Sequence, residues 1–273
     1  MLTGSCGIMS VDAPVQRAYL PMIAFFIRRP NGTPAMPRRG YSGVALLDFR
    51  HTAIRPRSRF MTAPETHEAQ DRLMIGFALD RLWYETMGFI ADDSKERPLR
   101  LMANVLERAG VPYALIGGVA VQLHTVEPRS TLDIDVAVPR FDDVPREALL
   151  AAGFEHTGRH AQSDNWRAPG DGPLATRVAV QFFAEDVGIA EAVARAKSMV
   201  LADGFLLRVA TAEDLITLKL ADAGEPQRRA SKREHDLADV LALLEEHPQL
   251  RTPQLAARVR EIRDRILDAG FDG

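Results

Sequence analysis

The chain has 273 residues, 46% of them apolar and 26% charged, with a net charge of −3. That length suits one generous domain or two small ones, and the composition is that of an ordinary globular protein. The slight negative charge excludes a globally polyanion-binding molecule and leaves only local basic patches for any nucleic-acid contact; the single cysteine, Cys6, excludes an intramolecular disulfide and a zinc site built from several cysteines, and fits a reducing cytoplasm.

Residues 1–63 stand apart from the rest. Eight arginines fall between Arg28 and Arg59, Asp48 is the only acid between Asp12 and Glu65, and scattered prolines and glycines break every period. Composition of this kind favours a disordered leader, or an upstream extension with Met61 or Met74 as the true start, over a basic arm that touches nucleic acid. The one long apolar run, Ala18 to Ile27, is interrupted by Pro21 and is far shorter than the roughly 20 residues a spanning helix needs. Arg28 and Arg29 follow it, whereas a signal peptide has its positive charge in front. No membrane association and a cytoplasmic location are therefore expected.

From about Glu65 the pattern turns helical, with Leu73, Phe77, Leu79, Leu82 and Trp83 recurring near a helical period. A second helix is expected from Arg97 to Ala109, closed by Gly110. Tyr113 to Ile116 then reads as a buried strand, Gly117-Gly118 as the turn into a short helix ending near His124, and Leu132 to Val138 as a second strand. A helix over Val144 to Ala152 stops at Gly153. Strands are expected near Phe154 to Thr157, Trp166 to Ala168 and Arg177 to Phe183, then a helix over Ile189 to Val200 and a short strand over Phe205 to Val209. Three helices complete the chain: Thr211 to Ala223, Ser231 to Glu246 and Thr252 to Ala269. Thr211-x-x-Asp214 has the form of a capping box, and Thr252-Pro253 is a good helix opening. The expected architecture is α+β, a mixed sheet with helices on one side. It divides into a leader (1–63), a core with N-terminal helices (64–210) and a helical C-terminal region (211–273).

Two short segments carry chemistry. A strand that ends in Gly117-Gly118 before a helix lets the backbone approach a ligand without an intruding Cβ, and aims helix N-terminal N–H groups at an anion such as phosphate. Asp133 and Asp135, two apart on a strand, face the same way. Two like charges so placed repel, and a hard divalent cation relieves the repulsion; Mg²⁺ takes one or two carboxylates together with phosphate oxygens and water. Either piece alone also fits a plain turn or a solvated strand face.

Taken in order, strand, Gly117-Gly118, short helix and Arg129-Ser130-Thr131-Leu132-Asp133-Ile134-Asp135 resemble the signature of the polymerase-β-type nucleotidyltransferase superfamily. The Arg-x-Thr-x-Asp-x-Asp wording is similar to the abortive-infection, type IV toxin branch, the AbiEii-like group. Downstream, Asp214 to Leu220 resembles that group's lysine-bearing helix, with Lys219 as the lysine, and His235 to Val240 resembles its Lys-Asp-x-x-Asp helix. The likeness spans roughly Val111 to Leu244, about half the chain. It implies a nucleotidyltransferase fold, a small mixed sheet flanked by helices, that moves a nucleoside monophosphate from an NTP to an acceptor hydroxyl. It further implies Mg²⁺ on Asp133 and Asp135, the nucleotide at Gly117, Gly118, Arg129, Thr131 and Lys219, and catalytic duty for Asp133, Asp135, Lys219 and Asp236. The implied acceptor is a tRNA 3′ end, with a cognate antitoxin in a toxin–antitoxin or phage-defence setting; a small-molecule acceptor, as in antibiotic-modifying relatives, is the other choice.

Two positions depart from that pattern. Gln181 stands where the superfamily supplies a third carboxylate, and an amide neither takes a proton as general base nor neutralises a cation. His235 stands where the toxin group has lysine. Gln181 is the motive for the rival reading, an inactive nucleotidyltransferase fold that binds a nucleotide or a protein. For Asp236 the alternative is an exposed ion pair with Lys232. Glu185 shares the strand parity of Gln181 but lies four residues on, roughly 13 Å away. His156 and His160 lack further metal-binding neighbours, and Ser163 lacks a base and an acid, so zinc and serine-hydrolase chemistry find no support.

Overall fold

The computed structural model describes residues 60–86, 95–127, 129, 131–160, 162–201 and 203–271. All but the last four residues of the expected leader, with Cys6 and the run Ala18 to Ile27, lie outside them. The first helix, Ala63–Thr86 (α1), starts where Thr62 and Glu65 cap each other reciprocally: Thr62 N–H donates to Glu65 Oε2 (2.7 Å) and Glu65 N–H to Thr62 Oγ1 (3.4 Å). Ala69, Leu73 and Phe77, spaced by four, are the buried stripe of this helix. Glu96–Arg108 (α2) buries Leu99, Met102, Ala103 and Leu106 in the same way.

Seven strands then make one mixed sheet. In chain order they are Ala114–Ile116 (β1), Asp133–Ala137 (β2), Glu155–His160 (β3), Ser163–Arg167 (β4), Ala179–Phe183 (β5), Lys197–Val200 (β6) and Leu206–Val209 (β7), and in space β3-β4-β5-β2-β1-β7-β6. The pairs β2–β5 and β1–β7 are parallel and the others antiparallel. The helices between them are Gly117–His124 (α3), Arg146–Ala151 (α4) and Ile189–Arg195 (α5), followed by Ala212–Gly224 (α6), Ala230–Glu246 (α7) and Pro253–Phe271 (α8). The α+β expectation is met. Leu215, Val240 and Ile262 of the last three helices join the same hydrophobic cluster as Leu73 and Ile134.

Two expectations are corrected. Ile189 to Val200 is not one helix: α5 stops at Arg195 and Lys197–Val200 pairs with β7, Lys197 opposite Val209 and Val200 opposite Leu206. The hairpin that joins them turns at Asp203-Gly204, with Gly204 at φ +81°, and Leu201 N–H closes it on the Phe205 carbonyl (2.9 Å). An Asp-Gly pair between two apolar runs is a hairpin signal, and tertiary pairing here outweighs the helical propensity of the preceding alanines. Nor is only one face of the sheet covered at its centre. Ala114, Leu115 and Ile116 are all buried although successive strand residues point to opposite faces, so both faces of β1 are covered.

Both helix openings read from the sequence are present. Thr211 Oγ1 accepts from Asp214 N–H (3.2 Å) at the start of α6, and Thr252 Oγ1 from Leu255 N–H (3.1 Å) at the start of α8. Among the described residues no helix is long and apolar enough to cross a membrane.

Candidate active site

The site lies at the junction of β1, β2 and α3. Along β2, Ile134 and Val136 are fully buried while Asp133 and Asp135 are half-buried, so the alternation of the sequence becomes an apolar face and a carboxylate face. Parallel pairing sets Ala179 beside Asp133 and Gln181 beside Asp135. Asp133, Asp135 and Gln181 line one cavity of about 280 Å³ with Gly117, Lys219, Asp186, Asp222, Arg228 and Lys232, among others.

Asp133 and Asp135 are provided for differently. Thr131 Oγ1 donates to Asp133 Oδ1 at 2.7 Å. Asp135 accepts no hydrogen bond from any described residue. Burial, and then the neighbouring Asp133 carboxylate, push its carboxyl up to about 8. At neutral pH without a cation it holds a proton; a divalent cation at the pair would displace it. Among the described residues no cluster of three or more metal-binding side chains occurs, and the donors that β2 brings to the cavity are the two carboxylates Asp133 and Asp135. That donor set suits Mg²⁺ completed by phosphate oxygens and water, and does not suit zinc.

Gly117 is required here on two counts. Its φ is +64°, and a Cβ at this position would lie 1.9 Å from Asp135 Oδ2. A Cβ on Gly118 would meet Arg129 Nη1 at 2.0 Å and Thr131 Cβ at 2.7 Å. The space above the two glycines is thus taken by this chain's own side chains, with Asp135 over the first and Arg129 and Thr131 over the second.

Behind the cavity runs an alternating chain of charges. Arg129 Nε meets Asp239 Oδ1 (2.7 Å), Asp239 Oδ2 meets Lys219 Nζ (2.9 Å), and Lys219 Nζ meets Asp236 Oδ1 (2.8 Å). Asp236 Oδ2 meets Arg228 Nε (2.9 Å), and Arg228 Nη2 approaches Asp222 (3.7 Å). Lys219, Asp236 and Asp239 are buried, and α6 and α7 pack together along this line. Burial alone would push the Lys219 ammonium down, but the Asp239 and Asp236 carboxylates hold it above the ordinary lysine value. It donates a hydrogen bond to Asp236 Oδ1 and meets Asp239 Oδ2 as an ion pair without one, so N–H donors remain for the cavity it lines.

Of the residues singled out from the sequence, the structure gathers Gly117, Asp133, Asp135 and Lys219 around the cavity. Gly118, Arg129, Thr131 and Asp236 stand behind them and do not line it. Asp236 pairs with Lys219 and Arg228, not with Lys232, so the geometry gives it a role in holding the lysine. Glu185 is turned away and accepts from Phe141 N–H (3.4 Å), and His235 is exposed and bonded to the Ser231 carbonyl (2.6 Å). Sequence reasoning missed Asp186, Asp222, Arg228 and Lys232. The only available signal was Asp222 one helical turn beyond Lys219.

A larger cavity, of about 440 Å³, opens at the other end of α3 between Glu65, Arg72, His124, Lys197 and His247. Its charges are matched, Lys197 on Glu65 at 3.0 Å, and His124 Nε2 donates to the Ala210 carbonyl (2.9 Å). Of these two cavities, the smaller is the one lined by the β2 carboxylates Asp133 and Asp135.

No family model matches the sequence, and no curated protein matches it. Among solved structures, an antigenic nucleotidyltransferase-like protein from Paracoccidioides brasiliensis is similar over 64% of this chain and 89% of its own, with 16% identity and a TM-score of 0.43. ANT(2")-Ia, in complex with adenylyl-2"-tobramycin, is similar over 62% of this chain and 97% of its own, with 16% identity and a TM-score of 0.44. JHP933 from Helicobacter pylori is similar over 65% of this chain and 94% of its own, with 12% identity and a TM-score of 0.33.

Proposed function

We propose that this chain is a polymerase-β-type nucleotidyltransferase that moves a nucleoside monophosphate from an NTP to an acceptor hydroxyl. The observation that carries the reading is Asp135: a carboxyl that accepts no hydrogen bond from the described residues, beside a second carboxylate, pushed up to about 8, and lining a cavity at the start of α3. Asp133 and Asp135 would hold Mg²⁺, which when bound neutralises the pair and the phosphates and polarises the reacting phosphorus. The triphosphate would lie in the cavity that Gly117 lines, in front of the Asp133 and Asp135 carboxylates. The acceptor oxygen attacks the α-phosphorus, the bond from that phosphorus to the bridging oxygen breaks, and pyrophosphate leaves. Lys219, Arg228 and Lys232 face the charge that develops on the leaving group. The acceptor's proton passes to a cavity carboxylate, for which Asp222 stands where Gln181 cannot serve. Positioning and electrostatics supply most of the acceleration.

The sequence resemblance supports the finer reading, an AbiEii-like enzyme of the cytoplasm with a tRNA 3′ end as acceptor and an antitoxin as partner. A second reading is favoured by Gln181 beside Asp135: a nucleotide-binding module without turnover. One experiment separates the two. Each NTP, labelled at its α-phosphate, is incubated with total tRNA and Mg²⁺ in the presence of wild type, Lys219→Ala, Lys219→Arg and Gln181→Glu, with folding checked for each. We expect labelled tRNA with wild type, and a loss of roughly 10- to 150-fold for Lys219→Ala, the range of one charge-assisted hydrogen bond. Gln181→Glu should do little or reduce activity through added repulsion. Metal-dependent NTP binding by an inert wild type, with turnover gained in Gln181→Glu, selects the binding module.

A further inference from the structure

Four lysines occur in this arginine-rich chain, at 95, 197, 219 and 232. Lys219 and Lys232 line the cavity and Lys197 pairs at the surface with Glu65. Lys95 belongs to none of these places, and its position is costly. It is 3% exposed, and it occupies the N-cap of α2 without making a cap bond, the end of a helix dipole where a cation is least favoured. Its ammonium meets Asp80 Oδ1 of α1 at 2.5 Å, and Asp80 is likewise buried. A buried ion pair of this kind adds little stability over apolar residues of the same volume.

What the pair does hold is the backbone in front of β2. Lys95 Nζ also donates to the Thr131 carbonyl, and Thr131 Oγ1 donates to Asp133 Oδ1 at 2.7 Å. The Thr131 side chain is seated in the space that Gly118 leaves open. A continuous line of contacts therefore runs from Asp80 through Lys95 and Thr131 to Asp133. We infer that the buried Asp80–Lys95 pair is a brace that positions Asp133 through Thr131 and thereby sets the metal affinity of the β2 carboxylates. This rests on the metal-binding reading above and adds to it a positioning residue from helices that the sequence resemblance does not cover. The energetic logic is that of outer-shell partners in metal sites, whose loss typically weakens metal binding by about 10- to 100-fold.

The informative variant is the double replacement Asp80→Leu with Lys95→Met, in the full chain. A pair that served only stability would be replaceable in this way without consequence, whereas a brace would not. Lys95→Met and Asp80→Asn accompany it, and Val105→Ala, a mild core truncation in α2, reports on destabilisation alone. The four NTPs are tried on wild type by calorimetry, and the tightest is carried forward to find the Mg²⁺ concentration for half-maximal binding. We expect the double variant to melt near wild type and to need at least tenfold more Mg²⁺, with Val105→Ala unchanged. Hydrogen exchange of the metal-free proteins should quicken at amides 131–135 and stay as in wild type at 114–116. An unchanged Mg²⁺ requirement in a folded double variant overturns the brace. If wild type binds no NTP, the metal-binding reading falls, and exchange alone decides: unchanged protection at 131–135 refutes the brace and faster exchange there supports it.

Discussion

Asp164 on β4 and Asp135 on β2 belong to the same sheet, separated by β5 alone. Asp164 has no exposed surface, and its oxygens accept from His156 Nε2 (2.7 Å) and Trp166 Nε1 (3.2 Å) and meet Arg146 Nη2 at 2.9 Å. Asp135 is given a second carboxylate for a neighbour, an amide across the strand and a cavity in front. A buried carboxylate is tolerated when donors and cations replace its water. Asp164 gets those from its own chain, which makes it a fastening between β3, β4 and α4. The Asp135 carboxylate accepts no hydrogen bond from the described residues, and the Lys219 and Arg129 charges near it do not offset its burial and the Asp133 charge, which points to something that arrives from outside.

The sharpest way to break this comparison is to remove each carboxylate in turn. Asp133→Asn or Asp135→Asn should abolish metal-dependent NTP binding at millimolar Mg²⁺ while the fold survives. Asp164→Ala should instead cost about 3 kcal/mol or more of stability, since it strands the buried Trp166 N–H, the His156 ring and the Arg146 guanidinium. The protein that remains folded should bind Mg·NTP as wild type does. Calorimetry and thermal melting on the same samples read both effects, and identical behaviour of the two sites would erase the distinction.

A smaller effect is expected at Gly117. Gly117→Ala places a methyl group where the Asp135 carboxylate now lies and forces a left-handed conformation on a residue with a side chain, at about 1–2 kcal/mol. Mg²⁺ affinity should drop more than stability does, because the displaced group is the proposed ligand. A variant with lower stability and unaltered Mg²⁺ dependence would mean that Asp135 need not sit against the turn.

The smallest expected effect is a pH dependence. An unfolded aspartate loses its proton near pH 4, whereas Asp135 in the folded chain holds it to about 8. Between those values the folded state binds the extra proton, so this group's contribution to stability falls as pH rises through the window. Without metal, Asp135→Asn should therefore gain on wild type as pH increases, with the least difference at pH 4 and a difference of several degrees (~5 °C or more) in melting temperature at pH 8.5. Saturating Mg·NTP should reverse the order at high pH, because only wild type gains from the ligand. Parallel melting curves across the range would show Asp135 ionised throughout and would remove the contrast with its protonated state.

Much of this was legible in the residues. The alternation of Leu132 to Val138 put both carboxylates on one face, Gly117-Gly118 marked the strand-to-helix turn, and Thr211 and Thr252 announced their helices. These are local facts, set by the periods of strand and helix and by short-range capping bonds. The strand at Lys197–Val200 was hidden because its residues satisfy a helical pattern as well, and only pairing with β7 decides between them. The charge chain was hidden for a different reason. Arg129 finds Asp239, Lys219 finds Asp236 and Lys95 finds Asp80 and Thr131, and no spacing rule links partners so far apart.

By itself, then, the sequence determined which way Asp133 and Asp135 face, where the glycine turn lies and where several helices begin, because each depends on neighbours within a few residues. The tertiary structure alone decided which carboxylates would be matched and which left open. Interaction between charges depends on their distance and on the water around them after folding, and neither quantity exists until α1, α2, α6 and α7 have packed against the sheet.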